Sequence, residues 1–305
     1  MTVLFSDRNL FSRHLRRPLT WIGAASLAAV GGAWAASGAM SALDVVNVLS
    51  GSPLVKPFTL AYGDSQRQRI DIYPQQQGGR PILIWFYGGA WNSGSRTDYR
   101  FVARTFHDLG YMVAIPDYRL TPEVVYPDFV RDSAAAVRAV IDEAVRFGGD
   151  PTRVLLAGHS AGAYNAAMVA LDRRWLPIAY RKRIRGVIGL AAPVNFLPIQ
   201  MPEARQAFSW PDTPRDSQPV EHVSRESPPM LLISAKHDPL VDPDINAGVL
   251  AGRLRRLGVQ VEEERLEDPL GFITHARLVA TLSNRMAPLV PTIARMDAFA
   301  QRVSR

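Results

Sequence analysis

Short apolar runs alternate along the chain with longer amphipathic ones, the pattern of strands and helices in a mostly parallel sheet. Residues 58–62 and 69–73 predict two opening strands, with Asp64-Ser65 as the turn between them. The run 81–86 (Pro-Ile-Leu-Ile-Trp-Phe) is apolar throughout, as a strand covered on both faces must be. Further strands are expected at 111–115, 153–157, 187–190, 230–234 and 259–266. Helical periodicity spans 97–109, 128–147, 161–173, 244–257 and 276–303, and Gly110, Gly148 and Gly258 fall where helices stop. Residues 193–229 are Pro-rich and aperiodic, which predicts a loop or small cap insertion over one end of the sheet. The expected fold is α/β, a mostly parallel central sheet flanked by helices, carried by 44–305.

The first 43 residues follow a different rule. No charged side chain occurs in 18–43, and Arg13, Arg16 and Arg17 stand directly before that stretch. A secretory signal peptide needs a basic start, an apolar core and a small-x-small cleavage site, which Ala33-Trp34-Ala35 supplies. An uncleaved membrane anchor needs about 20 apolar residues, which the uncharged length allows. Both readings export everything after Asp44, to the periplasm, the medium or the outer face of a membrane.

Composition narrows the classes. Of 305 residues 47% are apolar and 21% charged, which is globular and neither fibrous nor disordered. The chain has no cysteine, so disulfide scaffolds, thiolate metal sites and a Cys nucleophile are excluded together. The net charge is +7, but four arginines against Asp7 place +3 of it in the first 17 residues and leave +4 for the rest. The basic cluster 173–185 has no regular spacing and no interleaved aromatic platform, so nucleic acid is not the expected partner. It reads as a solvated face, with contact to anionic lipid headgroups as the alternative.

Gly158-His159-Ser160-Ala161-Gly162 matches G-x-S-x-G between a predicted strand and a predicted helix. A serine on that turn projects its hydroxyl from the sheet edge, which is where a nucleophile belongs. Of six histidines, His14 lies in the leader, His107 in a helix, His222 in the irregular segment and His237 beside a carboxylate. His159 adjoins the serine and must point away from its hydroxyl. His275 follows the last strand, and loops after parallel strands gather at the edge where Ser160 stands. It is the expected base. Asp238 follows the strand 230–234 and is the expected acid, with Asp242, Asp244, Glu267 and Asp268 as rivals. Tyr87-Gly88-Gly89-Ala90-Trp91 directly follows the 81–86 strand, and glycines there free backbone N–H groups for a developing oxyanion.

These motifs resemble the α/β-hydrolases of the esterase/lipase group, including hormone-sensitive-lipase-like carboxylesterases and kynurenine formamidases. The Tyr87–Trp91 segment, Asp117-Tyr118-Arg119-Leu120, Pro122-Glu123, Pro127, Asp132, the serine motif, His237-Asp238 and His275 occur in family order over roughly 57–290. Tyr87 stands where many members carry His. The resemblance implies a Ser160–His275–Asp238 triad, an oxyanion hole from Gly88, Gly89 and Ala161, and an acyl-enzyme on a small ester, with no cofactor and no metal. An amidase or formamidase on the same triad is the alternative, and a non-catalytic binding protein a more distant one. Tyr87, Trp91 and Trp210 are the candidate substrate contacts.

Overall fold

The structure, a computed structural model, describes residues 42–51, 55–267, 273–284 and 290–305. The chain divides into two units, Met1–Ala42 and Leu43–Arg305, and the elements that carry the site belong to the second. The expected export segment up to residue 41, its cleavage site and His14 lie outside the described residues, and its last two positions, Ala42 and Leu43, open a helix. Among the described residues no helix is long and apolar enough to cross a membrane.

Eight strands form one sheet: β1 (Phe58–Ala61), β2 (Arg69–Tyr73), β3 (Arg80–Phe86), β4 (Met112–Pro116), β5 (Gly149–His159), β6 (Ile184–Leu190), β7 (Met230–Ala235) and β8 (Val261–Leu266). Their order is β1-β2-β4-β3-β5-β6-β7-β8. Only the pairings of β2 with β1 and β4 are antiparallel. The carboxyl ends of β3 to β8 therefore share one edge. Residues 82–86 of β3 and 112–115 of β4 are wholly buried, which is why they carry no alternation.

The helices are α1 (Ala42–Ser50), α2 (Arg100–Asp108), α3 (Asp128–Glu143), α4 (Ala161–Leu171), α5 (Ile178–Arg181), α6 (Pro202–Ala207), α7 (Val249–Arg256), α8 (His275–Leu278) and α9 (Thr292–Val303). Two glycines of β6 show how they cover the sheet. A Cβ on Gly186 would meet Phe299 of α9 at 2.9 Å, and one on Gly189 would stand 3.8 Å from Ala163 of α4. Positions three apart on a strand face opposite ways, so α9 and α4 lie on opposite faces. Every residue of α4 is buried.

The expected helix over 276–303 is not continuous. Ser283 is extended (φ −74°, ψ 133°) after α8 and a 3-10 turn, and α9 starts only after Pro291. A proline inside a helix loses one hydrogen bond and clashes with the preceding turn, so Pro288 and Pro291 argue against one element. The helix expected over 244–257 opens with a wide turn, closed by Gly248 N–H to Pro243 C=O at 2.8 Å, before α7.

Candidate active site

Ser160 is the single residue between β5 and α4, with φ 53° and ψ −124°. A side chain there is strained by about 1–3 kcal/mol, so the surroundings must hold it. Its N–H donates to Leu190 C=O at 2.9 Å, and its own C=O accepts from Tyr164 N–H at 3.0 Å. The flanking glycines have a packing reason. A Cβ on Gly158 would lie 2.5 Å from the Gly162 carbonyl carbon, and one on Gly162 would collide with the Phe86 carbonyl oxygen.

His275 begins α8 and reaches back across the edge. Its Nε2 lies 2.8 Å from Ser160 Oγ, and its Nδ1 lies 2.7 Å from Asp238 Oδ2. The other Asp238 oxygen accepts from the Leu240 and Val241 amides, both at 3.0 Å. Burial pushes the Asp238 carboxyl up, but the bond from His275 and those two amides outweigh it and hold it below the ordinary carboxylate range. The rival acids have other partners. Asp242 accepts from Asp244 N–H at 2.8 Å, Asp244 pairs with Arg265 at 2.5 Å, and Glu267 pairs with Lys236. Asp268 lies outside the described residues. Of the remaining histidines, His107 meets Pro74 C=O, His222 meets Asp216 C=O, and His159 meets the His275 carbonyl rather than the serine.

The loop after β3 is wound through left-handed backbone, with φ 132° at Gly89, 46° at Ala90 and 60° at Trp91. Asn92 and Ser93 donate to Gly89 C=O, and Thr121 N–H donates to Trp91 C=O at 2.8 Å. Among the described residues no acceptor takes the N–H of Gly89, Ala90 or Ala161. The Gly88 backbone instead acts on the buried Tyr99 hydroxyl, and its missing Cβ leaves 3.1 Å to Ser160 Cβ. Ala90 is thus an open amide beside the serine that the sequence reading passed over, because a backbone donor leaves no mark in residue type.

A cavity of about 270 Å³ opens at Ser160, Ala90 and Trp91. Phe196, Leu197, Ile199 and Met201 from the 193–229 segment and Leu240, Val241 and Ile245 from the Asp238 loop give it a mainly apolar wall. The expected cap is there. Two of the three expected substrate contacts are not. Tyr87 is wholly buried, stacked on Tyr118 at 4.8 Å, with its hydroxyl accepting from Arg67 Nη2 at 2.7 Å. Trp210 is 41% exposed beneath the Arg205 guanidinium and does not line the cavity. Trp91 does line it, fixed by its indole N–H to Asn165 Oδ1 at 3.1 Å and edge-on to Phe208 at 4.8 Å. Among the described residues no group of three or more His, Asp or Glu is placed to hold a metal.

Charged partners fix the floor of the loop. Arg96 joins Asp117 and Asp71, Arg67 donates to Gly94 C=O at 2.7 Å, and Arg119 grips Asp132 with two bonds of 2.8 Å. The family-order residues Asp117, Tyr118, Arg119 and Asp132 thus belong to this scaffold.

The BD-FAE family model matches residues 70–250. The chain is 25% identical over 242 residues to the probable isoprenylcysteine alpha-carbonyl methylesterase ICMEL1 of Arabidopsis thaliana, covering 69% of this chain and 49% of that protein. It is 28% identical over 221 residues to esterase LipC of Mycobacterium tuberculosis, covering 64% and 54%. The chain therefore spans about half the length of these relatives. Among solved structures, the hyperthermophilic esterase of the archaeon Pyrobaculum calidifontis superposes with a TM-score of 0.69 at 23% identity, covering 85% of this chain and 88% of that one.

Proposed function

The chain belongs to the BD-FAE family and has the α/β-hydrolase fold, and on that footing we propose that it hydrolyses carboxylic esters of small substrates through Ser160, His275 and Asp238. One observation carries the reading: the continuous hydrogen-bonded line from Ser160 Oγ through His275 to buried Asp238. Ser160 attacks the carbonyl carbon while His275 Nε2 takes its proton, and Asp238 holds Nδ1–H and stabilises the imidazolium. The open amides of Gly89, Ala90 and Ala161 receive the oxyanion, which exists only after attack. Collapse expels the alcohol with the proton from His275, and water repeats the sequence on the acyl-enzyme. A pocket of about 270 Å³ is below the usual 300–1,000 Å³ of drug-sized sites, and its apolar wall favours a small apolar acyl or aryl group. The esterase names of the relatives support ester over amide.

The test is labelling by a fluorophosphonate together with a panel of aryl esters of graded acyl length against formyl anilides. Wild type should label at Ser160 and turn over short esters fastest, and Ser160→Ala should do neither while keeping its stability within about 1 kcal/mol. Unlabelled folded protein would remove the catalytic reading, and faster cleavage of formyl anilides would replace it by a formamidase. The basic run before 18–43 supports export of the domain. A reporter joined after residue 60 should be active only outside the cytoplasm, and purely cytosolic activity would reverse that.

A further inference from the structure

The mechanism uses His275 and leaves its neighbour in the motif, His159, without a part. His159 is buried, and its Nε2 lies 2.9 Å from the backbone carbonyl oxygen of His275. A carbonyl only accepts, so Nε2 carries the hydrogen and donates it. The other nitrogen, Nδ1, is buried without a partner, and a Cβ on Gly88 would come within 3.0 Å of it. This one ring therefore touches the serine turn, the histidine loop and the loop of open amides. A residue present only for its volume would serve better without an unmet acceptor in the core.

We propose that His159 is a positioning residue for the reaction: its Nε2–H holds the His275 main chain so that the imidazole meets Ser160 in line, and its opposite edge seats Gly88. Side-chain bonds to Ser160 and Asp238 fix the direction of the His275 ring but leave its backbone to be placed. The bond from His159 places it. Burial, with the His275 charge adding to it, pushes the His159 imidazole down to about 3, so it stays neutral beside the imidazolium that forms in each half-reaction.

The inference rests on the Ser160–His275–Asp238 reading. Its test compares His159→Leu, His159→Asn and His159→Gln on an aryl ester, with kcat expressed per site titrated to completion by a fluorophosphonate. A Gln amide nitrogen can stand where Nε2 stands, whereas an Asn amide reaches only as far as Nδ1. Misplacement of the base by about 1 Å costs about 10²-fold, so Leu and Asn should lower kcat by about 10- to 100-fold with KM within about threefold. Gln should recover kcat to within about fivefold of wild type, on the same scale of effect. A Leu variant with wild-type kcat, or a Gln variant no better than Asn, would overturn the proposal. Should Leu fail to fold, Asn and Gln still decide it, since both are polar amides and differ chiefly in reach. A folded wild type inactive on every ester would overturn the underlying functional reading instead, and the proposal with it.

Discussion

Asp117 and Asp238 each stand just beyond the carboxyl end of a parallel strand, β4 and β7, and both are buried. Their surroundings differ. Asp117 faces guanidinium groups, Arg96 in contact and Arg67 at 3.9 Å, and accepts the Arg96 N–H at 2.7 Å. Asp238 faces one imidazole and two amides. A guanidinium never gives up its proton in a protein, so Asp117 sits in a field that is always on and serves as a rivet. An imidazole alternates between neutral and charged, so Asp238 sits opposite a partner whose charge can follow a reaction. On the proposed mechanism, two carboxylates at one sheet edge thus divide frame from chemistry by the partner each is given.

The sharpest test of that division is Asp238→Asn. Amide for carboxylate keeps the shape but favours the wrong imidazole tautomer, so kcat should fall by about 10²–10⁴ with KM little changed. Asp242→Asn and Glu267→Gln should leave kcat within about threefold, and a large loss there would move the acid elsewhere. Asp117→Asn should act on stability instead. Breaking a buried pair costs about 3–5 kcal/mol, and with Arg96 and Arg67 still 21% and 30% exposed we expect about 2–4 kcal/mol in urea unfolding. Its kcat per titrated site should fall less than about tenfold; a collapse matching that of Asp238→Asn would erase the distinction between rivet and partner.

A third test uses pH. His159 has its folded value lowered to about 3, against an unfolded value of about 6.5. As pH falls below about 6.5 the unfolded chain gains a proton the native state refuses, so this stability is present above that pH and lost as pH drops toward about 3. His159→Gln cannot titrate. Between pH 6.5 and 4.5 it should lose about 2–3 kcal/mol less than wild type, read as the difference in urea midpoints, and parallel losses would show that His159 charges in the native state. The smallest effect is expected at Trp210→Ala: stability within about 1 kcal/mol and unchanged relative rates across the ester panel. A shifted acyl preference there would return Trp210 to the pocket.

Much of this was legible in the residues. All eight strands stand where the sequence predicts them, to within a few residues at each end; β3, β4 and β7 are apolar runs because the sheet there is covered on both faces, whereas the edge strands β1 and β8, the latter Val-Glu-Glu-Glu-Arg-Leu, are only partly buried. Ser160, His275 and Asp238 are named by motif and chain order, and the structure brings them within hydrogen-bond reach. The misreadings share a cause. Tyr87 adjoins the oxyanion loop along the chain and Trp210 lies in the 193–229 segment, but neither placement sets side-chain direction, and Tyr87 continues a strand already buried on both faces. Ala90 could not be seen, since its contribution is an amide every residue possesses. The break in the last helix could have been seen, because two prolines mark it.

The complete burial of α4 has a consequence for motion. An amide without access to solvent exchanges its hydrogen only when the structure around it opens, and a helix covered on every side has no cheaper opening than loss of the domain. Ser160 is joined to the first turn of that helix, so its strained backbone has no local route to relax. Hydrogen exchange in α4 should therefore be as slow as global unfolding allows, and the turn that carries the proposed nucleophile should keep its shape until the whole sheet gives way.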